Sequence, residues 1–174
     1  MIKFTILLIA VTLLSRPVNL SPMPQVEKWA AIYEVPPRVI RAMVFVESND
    51  NPYVVGALGE RGFLQILPGT AEYIASCTGM SARQILNDPK VNIRAGTWYF
   101  SIWYHRFREE GREDPLEKAL AAYNGGPAWV IEHNTINPLT EHYVWKVKET
   151  LGWNLPEEIC VDNSGRCLAE DKND

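Results

Sequence analysis

Between Val39 and Pro52 the chain changes character at a single position. Val39-Ile40-Arg41-Ala42-Met43-Val44-Phe45-Val46 is an almost unbroken apolar run, and Glu47-Ser48-Asn49-Asp50-Asn51-Pro52 follows it directly. A helix this apolar has to be covered on most of its circumference, so the fold must wrap it with other elements and still deliver a carboxyl group at its end. A carboxylic acid among apolar neighbours is costly to ionise and its pKa rises. That is what a general acid working near neutral pH requires. A glutamate at a helix end is also an ordinary exposed residue in many proteins, so the role of Glu47 depends on what the rest of the chain gathers around it.

Helical spacing dominates the remainder. Apolar residues recur at helical intervals over 25–33, and Pro36-Pro37 breaks the chain and restarts it. Further helices are expected over 38–47, 70–76, 81–86, 91–110, 115–123, 127–133 and 140–151. The longest is expected to bury Ile93, Gly96, Thr97, Phe100, Trp103, Tyr104 and Phe107, and to stop at Gly111. Residues 49–68 break the pattern. They are rich in Gly, Asn and Pro yet carry the apolar islands Val54-Val55 and Phe63-Leu64-Gln65-Ile66. Linkers seldom carry such anchors, so this segment reads as a functional loop or small hairpin. The fold class that follows is a mainly α globule with a Gly-rich loop after the second helix.

The chain has 174 residues and a net charge of −4, with no basic run. The length suits one domain with a real core, and the charge argues against nucleic acid as partner. Residues 1–21 read as a signal peptide: Lys3 gives a positive start and the stretch from Phe4 to Leu14 is apolar, too short for a membrane span. An uncleaved N-terminal anchor is the alternative, because Arg16, Pro17 and Asn19 interrupt the cleavage region. Residues 22–155 form the expected domain, and 156–174 a polar tail. Export permits a disulfide, and Cys160 and Cys167 bracket a turn-rich loop that one bridge would close, while Cys77 is expected to be a buried free thiol. His105, His133 and His142 form no metal-ligand spacing with these cysteines, so no metal site is expected.

Three further motifs follow Glu47-Ser48. In Gly59-Glu60-Arg61-Gly62-Phe63-Leu64-Gln65-Ile66-Leu67-Pro68 the glycines allow a tight backbone turn, and the Gln65 amide offers donor and acceptor to sugar hydroxyls or an acetamido group. Ala121-Ala122-Tyr123-Asn124-Gly125-Gly126-Pro127 ends a helix in an aromatic, an amide and two glycines. The third is Pro138-Leu139-Thr140-Glu141-His142-Tyr143-Val144. Each alone is compatible with capping or core packing. In this order, together with Asn92-Ile93-Arg94-Ala95-Gly96, they resemble the lytic transglycosylases of the soluble, lysozyme-like type, which cut bacterial peptidoglycan. The resemblance spans roughly 26–151.

That resemblance implies a lysozyme-like domain acting on peptidoglycan glycan strands in the periplasm, as a monomer and beside other cell-envelope machinery. It makes Glu47 the catalytic acid and base, and Ser48, Gln65, Tyr123, Asn124 and Tyr143 the residues of the sugar site. Leu64 stands where the family usually has methionine. Leu139 stands where it has a glutamate, which removes a carboxylate that would contact the N-acetyl sugar. Outside Glu47 the candidate carboxylates are Asp50, which reads as a turn residue, and Glu60, which lies between Gly59 and Gly62 and is expected to be solvated. With no second carboxylate evident, the family mechanism relies on the substrate's own acetamido group. A goose-type lysozyme, which hydrolyses with water, is the nearest rival reading, and a non-catalytic wall-binding component a more distant one.

Overall fold

Proline sets where the helices begin. Four of them start on a proline: α2 (Pro37–Ser48), α3 (Pro68–Thr78), α5 (Pro89–Glu109) and α6 (Pro115–Gly125). There its fixed φ is already helical and its missing N–H would have had no partner. In the computed structural model, which describes residues 21–152, α1 (Met23–Ile32), α4 (Ala82–Asn87), α7 (Ala128–His133) and α8 (Glu141–Thr150) complete the helices. A single 3-10 turn, Pro138–Thr140, leads into α8. The expected signal segment lies outside the described residues except for Ser21, and the expected tail with Cys160 and Cys167 lies wholly outside them. No described helix is long and apolar enough to cross a membrane.

The longest helix, α5, is the spine: α1, α4 and α6 pack along it, and α2 lies between α1 and α8. Its buried face carries Ile93, Thr97, Phe100, Trp103 and Phe107, as the periodicity predicts. Tyr104 is only partly buried, with its ring stacked on Phe100 and the Arg108 guanidinium over the ring at 5.3 Å from its centroid. α2 contributes Val39, Ile40, Ala42, Met43 and Val44 to the same core. The helix ends at Asn49 and Asp50, both left-handed (φ 49° and 62°). Asp50 is fixed there by a two-pronged ion pair with Arg41, at 2.6 and 2.7 Å. Its carboxylate is therefore committed to holding the turn after Glu47, in keeping with the turn role read from the sequence.

Two sequence expectations need correction. Cys77 is a free thiol, but it is exposed rather than buried. On α3 only a narrow face, built on Ala71 and Ile74, reaches the core, and Cys77 falls outside it. Glu60 is not freely solvated. It sits half-buried in the loop after α2 and faces a cleft, as described below.

Candidate active site

Residues 49–67 form a tight loop rather than a sheet, stitched by isolated antiparallel bridges between Val55 and Arg61 and between Arg61 and Ile66. Arg61 and Ile66 exchange both backbone bonds, at 3.1 and 3.0 Å, and Gly62 N–H donates to Val54 O at 3.1 Å. The loop is bolted to the spine by Asn92, a buried residue of α5. Its Oδ1 accepts the Leu64 N–H at 2.9 Å, and its Nδ2 donates to Arg61 O at 2.9 Å and to Ile85 O at 3.0 Å. Gly62 makes this approach possible: its φ is +81°, and a Cβ there would stand 2.6 Å from the Asn92 amide carbon.

Gln65 follows in the left-handed region at φ 41°, a conformation that strains a residue with a side chain by roughly 1 kcal/mol or more. Its own amide holds it there, donating from Nε2 to Gly62 O at 2.9 Å and to Val54 O at 3.2 Å. The nitrogen is thus spent on the loop, and Oε1 is the atom left for a ligand. Tyr123, near the end of α6, ties that helix to the same loop by donating to Leu64 O at 2.7 Å.

These contacts frame a cleft of about 320 Å³ lined by Glu47, Glu60, Gln65, Tyr123 and Asn124, with Tyr99 of α5 and the apolar rim residues Leu58 and Leu67. Of the residues expected to form a site, four therefore meet in one cleft. Tyr143 stands behind Glu47, buried on α8. Ser48 is turned away: its buried hydroxyl donates to Val44 O at 2.9 Å, within its own helix. Leu139 is 89 % exposed on the 3-10 turn and does not line the cleft. Glu141 also points elsewhere, into a separate groove with Trp145 and Lys148. Tyr99 carries no sequence signal for this site, and Asn92 reads from the sequence only as part of a helix start.

Burial pushes the Glu47 pKa up to about 7. Tyr143 works against that rise, as a donor to the carboxylate does, and the nearby Glu60 adds to it. The Tyr143 hydroxyl and Glu47 do not close to a hydrogen bond of regular geometry, and the hydroxyl has no other partner among the described residues. Tyr123 and Tyr143 are themselves held well above the ordinary phenol pKa, by burial first and then by the Glu47 charge. Both remain neutral donors. The cleft thus offers one carboxyl that changes protonation near neutrality, surrounded by hydroxyls and amides suited to a polar, hydroxyl-rich ligand.

Tyr143→Phe separates these contributions. Without the hydroxyl, the Glu47 titration followed by carboxyl NMR moves upward from about 7. Stability changes by less than about 1 kcal/mol, because that hydroxyl makes no regular bond whose loss would strand a partner.

Known proteins resemble this chain over most of the described residues. The sequence model of the transglycosylase SLT domain matches residues 24–144. The membrane-bound lytic murein transglycosylase C of Haemophilus ducreyi is 34% identical over 144 residues, covering 74% of this chain and 39% of that protein. Its namesake in Pectobacterium atrosepticum is 34% identical over 116 residues, 63% of this chain and 32% of that one. Among solved structures, the 70 kDa soluble lytic transglycosylase SLT70 of Escherichia coli superposes with a TM-score of 0.61 at 27% identity, over 75% of this chain and 23% of its own. An inactive Glu-to-Gln mutant of the lytic transglycosylase Slt from Pseudomonas aeruginosa gives 0.64 at 25% identity, over 76% and 24%. The chain thus spans about two fifths or less of the length of these relatives. With the domain match running from α1 into α8 across every wall of the cleft, the chain belongs to the transglycosylase SLT domain family.

Proposed function

We propose that the protein is a peptidoglycan lytic transglycosylase that breaks the β-1,4 bond between N-acetylmuramic acid and N-acetylglucosamine, with Glu47 as both acid and base. The observation that carries this reading is the placement of Glu47, whose pKa burial pushes up to about 7, in a cleft walled by Gln65, Tyr123 and Asn124. Protonated Glu47 gives its proton to the glycosidic oxygen as the bond to the muramyl C1 breaks. The muramyl 2-acetamido oxygen stabilises the positive charge at C1. Glu47, now a carboxylate facing the Tyr143 hydroxyl, takes the proton of the muramyl C6 hydroxyl, whose oxygen closes onto C1 to give a 1,6-anhydro end. No water is consumed and no metal or organic cofactor takes part.

The names of the relatives, and the apolar N-terminal stretch of the sequence, support a place in the cell envelope; we assign the domain to the periplasm. A hydrolase of the goose-lysozyme type is the second reading, and Glu60 in the cleft gives it a specific basis, because hydrolytic glycosidases use a second carboxylate to activate water. A zymogram on purified peptidoglycan tests for activity of either kind. Clearing by the wild-type chain is expected, and its absence would return the domain to a wall-binding role.

A further inference from the structure

The loop that Asn92 secures also carries a second, smaller device. Glu60 folds back on its own turn. Gly56 N–H donates to Glu60 O at 2.9 Å, Gly59 N–H donates to Gly56 O at 3.2 Å, and the Glu60 carboxylate accepts the Leu58 N–H at 2.8 Å through Oε2. The side chain lies so closely over Gly56 that a Cβ at that position would stand 2.0 Å from Oε1. No Lys, Arg or His among the described residues comes within ion-pair distance of it. Arg61, next in the chain, points to Asn87, with Nη1 donating to its Oδ1 at 3.3 Å. Glu60 is therefore a carboxylate fixed by backbone, without a counter-charge, in the wall of the cleft that holds Glu47.

We infer that Glu60 is a positioning residue for the reaction: a fixed negative charge in the cleft wall that keeps the proton on Glu47 until substrate arrives. This rests on the function proposed above. The groups facing Glu47 come from four elements: Tyr143 from α8, Tyr123 from α6, Tyr99 from α5 and Glu60 from the loop. The three phenols are neutral near pH 7, Arg41 on the same helix as Glu47 is occupied by Asp50, and the cleft lining holds no cation among the described residues. Among those residues Glu60 is thus the other carboxylate of the cleft that holds Glu47, and a like charge favours the protonated acid. Its role is electrostatic rather than that of a water-activating base, because one oxygen is held by the Leu58 N–H and the chain is clamped over Gly56.

The test is the Glu47 carboxyl titration by NMR in the full, substrate-free chain, beside the pH profile of kcat/KM on soluble glycan strands. Glu60→Gln keeps an acceptor for Leu58 N–H and removes the charge. It should lower the Glu47 titration and move the alkaline limb of activity down together, by roughly half a unit to one unit. Glu60→Lys should move both further, and the Gln shift should shrink at about 0.5 M salt, as screening of a partly exposed pair requires. Glu60→Asp should stay nearer the wild type than Glu60→Gln does. An unmoved Glu47 titration in both the Gln and Lys variants overturns the inference, and so does a uniform loss of rate at every pH without a shift. The titration needs no turnover, so it decides the point even in a protein that cleaves nothing. Loss of the transglycosylase reading would show instead as absence of anhydro product from the wild type.

Discussion

Glu47→Gln should abolish cleavage of peptidoglycan and at the same time make the protein more stable at alkaline pH. The amide can neither donate the proton that releases the leaving sugar nor accept the one from the C6 hydroxyl. Activity is expected to fall about a thousandfold or more, since removal of a single acid–base function alone is worth up to four orders of magnitude. The stability effect has the opposite sign. The folded chain binds the Glu47 proton up to about pH 7, against an ordinary glutamate value of 4.5 when unfolded. Between these values the native state holds a proton that the unfolded state has released, so stability declines as pH rises through that window. Above it, the wild type carries the whole penalty, on the order of 3 kcal/mol, and Gln carries none. Thermal unfolding at pH 8 should therefore show Glu47→Gln melting roughly 10 °C higher, with the difference vanishing near pH 4. A variant that is inactive and equally stable at both pH values would contradict the burial of Glu47 as the source of its raised pKa.

Asn92→Ala should be the most damaging substitution outside the cleft. Its side chain joins the Leu64 N–H, the Arg61 carbonyl and the Ile85 carbonyl through two atoms. Truncation strands the buried Leu64 N–H, takes the Asn92 donor from the Ile85 carbonyl and leaves the Arg61 carbonyl with the Ile66 N–H alone, which together costs about 3 kcal/mol. Against the 5–15 kcal/mol that a typical domain has in total, about a third of the stability is lost, visible as a fall in Tm of roughly 10 °C. The same loss frees the loop that positions Gln65 and receives the Tyr123 hydroxyl at Leu64 O, so the activity that remains at low temperature should drop at least about tenfold. Equal loss of stability with full activity below the melting range would show that the loop is held by its own bridges instead.

How much of this was legible in the chain follows from the range of the forces involved. Helices are local, and their starts and stops are written in prolines and glycines, so the order of elements and the buried face of α5 follow from spacing alone. Glu47 is legible as a carboxyl at the end of an apolar run, while the tyrosines that surround it, Tyr123 and Tyr143, come from helices distant in sequence. Other features were decided by contacts distant in sequence. Asn92 reads as one polar residue near a helix start, and only the arrival of the loop some thirty residues away shows it to be a bolt. Glu60 between glycines has the composition of a solvated tip, yet the turn from Gly56 folds the side chain inward and makes it a cleft residue. The Gln65 amide looks free to bind sugar until the left-handed backbone at that position turns its nitrogen onto Gly62 O and Val54 O. Ser48 is the reverse case: its place beside Glu47 in sequence suggests a ligand contact, while the helix geometry turns its hydroxyl back to Val44 O.

Leu139 belongs to the same discussion. The missing carboxylate noted from the sequence falls on an exposed apolar side chain outside the cleft lining. Gln65, Tyr123 and Asn124 are among the donors and acceptors that line the cleft, and the chemistry proposed here relies on them and on the substrate's own acetamido group.

The most direct measurement is mass spectrometry of the muropeptides released from purified peptidoglycan by the full chain. If Glu47 serves as acid and then as base toward the C6 hydroxyl, the products end in 1,6-anhydromuramyl residues, one water lighter than reducing ends, and none appear with Glu47→Gln. Products ending only in reducing sugars would contradict the account and assign the cleft, with Glu60 beside Glu47, to a hydrolase.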